Sequence, residues 1–287
     1  MSTQSRGKLV SCASRLLAAA FVVASCAAQA APFTAFIDQF YIEKNGNVFF
    51  NDTFDDGNPP PATPPPDTRT YAVNGSFAGG ESGGKLRIGG NGYVPGANAL
   101  GQIFLVNSAL LLTNIDSNDT TNGLKKNSAF DVTGLFDYVA PGVNDSYGVR
   151  LTDATSPSNG NDVLDLRVGW STALNAPVVI FSRQDFLLGT RTVLEQVALP
   201  AAYSGQIVLG LLHQNANTDV ISAGYCLGDF AVCDAGGAQF LTATTTIFHG
   251  ETFTRADFRA VTAVPEPASL ALLALGLAGL GFSRRKQ

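Results

Sequence analysis

Tyr147-Gly148-Val149-Arg150-Leu151-Thr152-Asp153 puts Tyr147, Val149 and Leu151 on one side of a two-residue period and Arg150 and Thr152 on the other. Successive side chains of a strand point to opposite faces, so this stretch reads as a β-strand with one face turned to a core. Working outward, later strands are expected at 163–170, 178–182, 192–199, 206–213 and 240–248. Earlier ones are expected at 33–42, 47–54, 70–77, 85–88, 102–106, 109–115 and 129–133, with a less clean alternation in Phe36, Asp38, Phe40 and Ile42. Between them Gly, Asn, Asp and Pro recur about every 8 to 15 residues, as turns demand. No segment sustains a helical period, and only 109–112 and a turn near 185–188 leave room for short helices. The expected fold is all-β, a two-sheet sandwich. Six prolines within 58–67 lock φ and remove backbone donors, which predicts an extended polyproline loop between two early strands.

Both ends differ in kind from this body. Arg6, Lys8 and Arg15, an apolar run over 16–24, and Ala28-Gln29-Ala30 ahead of Ala31 have the order of a secretory signal peptide. Val23-Ala24-Ser25-Cys26 is a competing lipobox, in which Cys26 would be acylated. At the other end Val264-Pro265-Glu266-Pro267 precedes an apolar stretch over 268–282 and then Ser283-Arg284-Arg285-Lys286-Gln287. Fifteen apolar residues fall short of the ~20 of a full span, yet a basic cluster directly behind them is what a stop-transfer segment needs. Pro265 and Pro267 cannot sit inside a helix and so fence the apolar stretch off. The expected organisation is a signal peptide at 1–30, a β-sandwich at 31–263 and a tail at 264–287 with a transmembrane helix at 268–282.

That tail resembles the PEP-CTERM sorting signal. The resemblance implies that Pro265, Glu266, Pro267, Arg284 and Arg285 are read by an exosortase in the inner membrane of a Gram-negative bacterium. It also implies an inner-membrane intermediate, then delivery to the cell surface or outside the cell, and a role in exopolysaccharide production or biofilm.

Composition narrows the body's partners. The two ends hold 6 of the 18 Lys and Arg and 1 of the 23 Asp and Glu, which leaves 12 basic against 22 acidic residues, a net charge of about -10. Such a body disfavours nucleic acid and anionic lipid and suits divalent cations or neutral sugars. Only Cys226 and Cys233 remain in it, and in an oxidising compartment they are expected to form one disulfide, stapling a hairpin or loop. His213 and His249 sit in no zinc-ligand spacing around them.

A second resemblance lies in Asp52-Thr53-Phe54-Asp55-Asp56-Gly57, then Tyr71, Gly75-Ser76-Phe77, Glu81 and Gly84-Lys85-Leu86-Arg87-Ile88. With the strands at 147–153 and 207–212, these look like concanavalin A-like jelly rolls of the laminin-G and glucanase type. Glucanases of that fold carry paired carboxylates as Glu-x-Asp-x-Glu or Glu-x-Asp-x-x-Glu on one strand. None of Glu43, Glu81, Glu195 and Glu251 opens such a pattern, and Asp162 and Asp165, three apart, point to opposite faces of an ideal strand. Gly80-Glu81-Ser82-Gly83-Gly84 has nucleophile-elbow spacing, but it feeds a strand and no helix follows.

The expectation is therefore a non-catalytic surface or matrix protein that holds exopolysaccharide or plays a structural part. Calcium would sit at Asp52, Asp55 and Asp56, where turn oxygens converge, and Trp170 and Tyr225 are the candidate sugar-facing aromatics. Trp170 ends a strand and has a core role as its competing reading. The alternatives are a secreted carbohydrate-active enzyme using Asp162 or Asp165, and a self-associating adhesin.

Overall fold

A computed structural model of the chain describes residues 33–57, 69–74, 81–89, 99–107, 124–143, 145–153, 162–185, 188, 190–245 and 253–262. They belong to one compact unit, 32–93 with 98–263. The proline-rich loop, the signal peptide, the strand expected at 109–115 and the tail after Thr262 lie outside the described residues.

Two antiparallel sheets face each other. The first is built from β1 (Thr34–Lys44), β2 (Asn47–Asp52), β4 (Leu86–Gly89), β7 (Phe130–Asp137), β12 (Gln206–His213), β13 (Ser222–Leu227) and β14 (Gln239–Phe240), in the order β14-β13-β12-β7-β1-β2 with β4 also on β1. The second holds β3 (Arg69–Asn74), β5 (Ala99–Asn107), β6 (Leu124–Lys125), β8 (Ser146–Asp153), β9 (Val163–Ser171), β10 (Ala176–Asp185), β11 (Thr190–Ala198) and β15 (Phe253–Thr262). Its order is β11-β10-β9-β8-β15-β5-β3, with β6 on β15. This is an all-β sandwich.

The core lies between the sheets and follows the period of two. Tyr147, Val149 and Leu151 of β8, Leu164, Leu166 and Val168 of β9 and Phe258 of β15 meet Phe40, Ile42, Val132, Phe136, Leu209 and Leu211 from the opposite sheet. All are at most 1% exposed, and each such side chain contributes ~1.5–3 kcal/mol by leaving water. The rings of Phe40 and Phe258 meet across the sheets at 4.9 Å. Gly134 faces inward on β7 because the Phe136 ring lies over it; a Cβ there would come within 2.6 Å of that ring.

The hairpin between β1 and β2 turns on Asn45 and Gly46, whose φ values of 51° and 75° suit the twist that joins adjacent antiparallel strands. Asn45 also bridges to the next element, its backbone N–H donating to Ala129 O at 2.9 Å and its side chain accepting from Ala129 N at 3.0 Å.

Several strands differ from expectation. Ser222–Leu227 is a strand, where the sequence suggested only a stapled hairpin or loop around Cys226. A helical turn, α1 (Phe230–Val232), follows, capped by the Asp229 carboxylate, which accepts from Val232 N at 3.0 Å. Phe253–Thr262 is a strand between β8 and β5 that no expectation covered. The strand expected over 240–248 reduces to the two residues of β14, and 246–248 lie outside the described residues.

Candidate functional site

On the face of the second sheet that points away from the core, alternation puts Arg150 of β8, Asp165 and Arg167 of β9, Ser182 of β10 and Asp257 and Arg259 of β15 side by side. Strand register makes them neighbours: Arg150 is opposite both Asp165 and Asp257, and Asp165 is opposite Ser182. Gly148 makes room for this row, since a Cβ there would come within 2.1 Å of Leu166 O and 2.6 Å of Arg167 Cα.

Asp165 is the hub. It is 1% exposed and accepts from Arg259 Nη2 at 2.7 Å, from Arg167 Nη1 at 3.3 Å and from Arg191 Nη2 of β11. Burial alone would raise its carboxyl, but Arg259, Arg191 and Arg150 outweigh that and hold it below the usual carboxylate range. Burial in turn lowers the Arg259 guanidinium, with the neighbouring Arg150 adding to the effect. Ser182 accepts from both Arg167 at 3.2 Å and Arg191 at 3.1 Å, fixing the two forks relative to each other. Alongside, Arg150 Nε donates to Asp257 at 2.9 Å, and Arg183 Nη2 donates to Asp162 at 2.5 Å.

Above this row is a cavity of about 310 Å³ whose walls include Arg167, Arg191, Arg259, Trp170, Asp145 and Ile180. Trp170, the last-but-one residue of β9, is half-buried and lines it, while Gly169 keeps its floor low. Arg167 and Arg259 are mostly buried, at 12% and 13% exposure, and Arg191 is the open one at 36%. Such a cavity can hold a small polar ligand against charged N–H donors.

The sequence singled out residues that the fold scatters. Trp170 is in the cavity wall. Tyr225 is a correction: it sits in the core at 6% exposure, its hydroxyl donating to Gln239 Oε1 at 2.6 Å, and so offers a ligand no face. It is inward because it falls in phase with Ala223 on β13.

Asp52 is buried and its Oδ1 accepts from Phe54 N at 2.9 Å. That bond holds Phe54 at φ 50°, a conformation costly for a bulky residue, so that its ring reaches Phe258 at 5.8 Å. Asp55 accepts from Thr53 Oγ1 at 2.8 Å. Glu81 comes close enough to Asp56 and Asp52 that burial and their charges push its carboxyl up to about 7. Among the described residues, no three His, Cys, Asp or Glu side chains gather as a metal site.

Cys226 and Cys233 are joined, with Cα atoms 5.7 Å apart. The joined turn lies on the outer face of the first sheet, where Phe230 and Cys233 pack on Leu135, Val208 and Cys226. Asp162 and Asp165 are both paired with arginines, and the lowered carboxyl of Asp165 is unsuited to donate a proton. His213 is fully buried, with its ring nitrogens 2.7 and 2.9 Å from the carbonyls of Ser128 and Thr218.

The arginines at the cavity were not singled out from the sequence. The signal was present in β15, where Arg255, Asp257 and Arg259 alternate with Ala256, Phe258 and Ala260.

Pro265, Glu266, Pro267, Arg284 and Arg285 lie outside the described residues, among which no helix is long and apolar enough to cross a membrane. No curated protein matches the chain. Residues 263–286 match the family model of the PEP-CTERM protein-sorting motif. The chain thus carries a PEP-CTERM sorting motif and is an exosortase-sorted protein, exported by way of the inner membrane to the cell surface.

Proposed function

We propose that this exported β-sandwich is a non-catalytic surface protein that binds exopolysaccharide through the cavity beside Trp170. The observation that carries the reading is the set of fixed polar donors that converge on one open cavity of about 310 Å³ with Trp170 among its lining residues, since convergent polar groups are what hold a sugar's hydroxyls and substituents. Calcium at the Asp52, Asp55 and Asp56 turn is the second part of the reading. Its support is the crowding of Glu81 against Asp52 and Asp56, which a divalent cation would relieve.

The test passes the exported protein over immobilised exopolysaccharide from its own producer, in calcium and then in chelator. Retention is expected in calcium, with roughly two- to ten-fold weaker binding by Trp170→Ala, since an aromatic contact is worth about 0.5–1.5 kcal/mol. No retention in either condition sinks the glycan reading. Equal retention in chelator removes calcium from it.

A further inference from the structure

The charge of the cavity is unlike that of the body around it. Three guanidiniums, Arg167, Arg191 and Arg259, face two carboxylates, Asp165 beneath and Asp145 at the wall, a formal surplus of one positive charge. The flanking Arg150–Asp257 and Arg183–Asp162 pairs add nothing to that balance. The surplus stands in a sandwich whose own net charge is about -10, from 12 basic against 22 acidic residues over 31–263.

Nor are the three forks used up. Among the described residues Arg167 donates only through Nη1, Arg259 only through Nη2, and Arg191 through Nε and Nη2. Each therefore retains N–H groups for another acceptor. Asp165 and Ser182 hold the forks in place before any ligand arrives, and pre-set planar donors favour a planar acceptor with two oxygens. One surplus charge matches a monoanion better than a doubly charged phosphate. The volume lies at the small end of ligand cavities, roughly 300–1,000 Å³, which suits one ring with its substituents.

We infer that the cavity recognises a carboxylate, the one borne by a hexuronate residue of an acidic polysaccharide, with the guanidiniums on the carboxylate and Trp170 beside the ring. This rests on the glycan-binding reading above and names the class of sugar. It replaces the neutral sugar that the overall charge suggested with an acidic one, read at a single positive spot.

The exported protein is titrated calorimetrically with an oligoglucuronate, with the same oligomer after its carboxyls are reduced to alcohols, and with sodium acetate. The oligoglucuronate is expected to bind at least about ten-fold tighter than its reduced form, the usual weight of a charge-assisted bond. Acetate in large excess should compete, yet bind far more weakly alone. Arg191→Gln should lose about ten-fold toward the oligoglucuronate and nothing toward the reduced oligomer, with Arg191→Lys between it and the parent. If Arg191→Gln fails to fold, the comparison of the two oligomers on the parent protein still decides.

Equal binding of both oligomers overturns the inference and leaves glycan binding standing. Acetate binding as tightly as the oligomer overturns the hexuronate assignment in favour of free carboxylates. If neither oligomer binds, the inference falls; retention of the producer's own polysaccharide through Trp170 then shows that the glycan reading survives without it.

Discussion

Glu81 is held in the fold against its own charge. Burial, then Asp56 and Asp52, push its carboxyl up from its ordinary value of 4.5 to about 7. An acid raised on folding binds more protons folded than unfolded over that window, so stability must fall as pH rises from about 4.5 through about 7. Asp131, pushed to about 6 by burial and Glu43, acts in the same sense over the lower part of the window. Glu81 is partly open to solvent, so screening reduces the effect to about 1 kcal/mol, or roughly 2–4 °C in a domain of this size. Thermal melts in chelator should show Glu81→Gln raising Tm at pH 8 and changing little at pH 5; an unchanged slope between the two would remove Glu81 as its source. At Asp165 the direction is opposite, since its carboxyl is lowered and its contribution is lost on acidification. Neither behaviour is legible in the sequence. Glu81 and Asp56 are 25 residues apart and Asp165 and Arg259 are 94 apart, and only the sheet pairing brings them together. Trp170 was legible as a candidate because a lone Trp is conspicuous, but its place in a cavity wall depends on strands that follow it.

At the scale of elements, what the sequence reveals is set by how cleanly a strand alternates. The strand Ser146–Asp153 was visible because Tyr147, Val149 and Leu151 are large on one face and polar residues fill the other. Phe253–Thr262 alternates in sequence as well, but Ala256 and Ala260 are small and charged residues fill the positions between them, so its apolar side is a weak signal. Ser222–Leu227 was hidden for another reason: Cys226 and Cys233 invite a loop reading, whereas Cys226 closes a strand on Val208. The disulfide therefore ties a helical turn onto a sheet rather than closing a hairpin. Chain entropy alone assigns such a short loop a stabilisation of about 2.5 kcal/mol. The joined turn also covers Leu135 and Val208, each 7% exposed. Reduction with a phosphine, or Cys226→Ser with Cys233→Ser, is expected to lower unfolding stability in urea by about 2–4 kcal/mol and to leave the cavity on the opposite sheet able to bind. Loss of binding along with stability would mean that the two sheets do not tolerate independent change.

For the whole molecule, the charge of the body and the charge of the cavity pull in opposite directions. A sandwich at about -10 over residues 31–263 repels an acidic polymer at a distance, while the arginines at the cavity attract it only on close approach. Raising the salt from about 0.01 M to about 0.15 M shortens the Debye length from roughly 30 Å to roughly 8 Å. That removes most of the repulsion and little of the contact with Arg167 and Arg259, which are mostly buried. Association with an oligoglucuronate should therefore quicken with salt, by roughly two- to five-fold, while dissociation changes less. This is the reverse of a protein that meets a polyanion with a broadly basic surface, whose binding weakens steeply as salt rises. Surface-immobilised oligomer and flowing protein resolve the two rates. An association rate that falls with salt would mean that the polymer is met by some other, basic face, and would move the site away from the arginines of β9, β11 and β15.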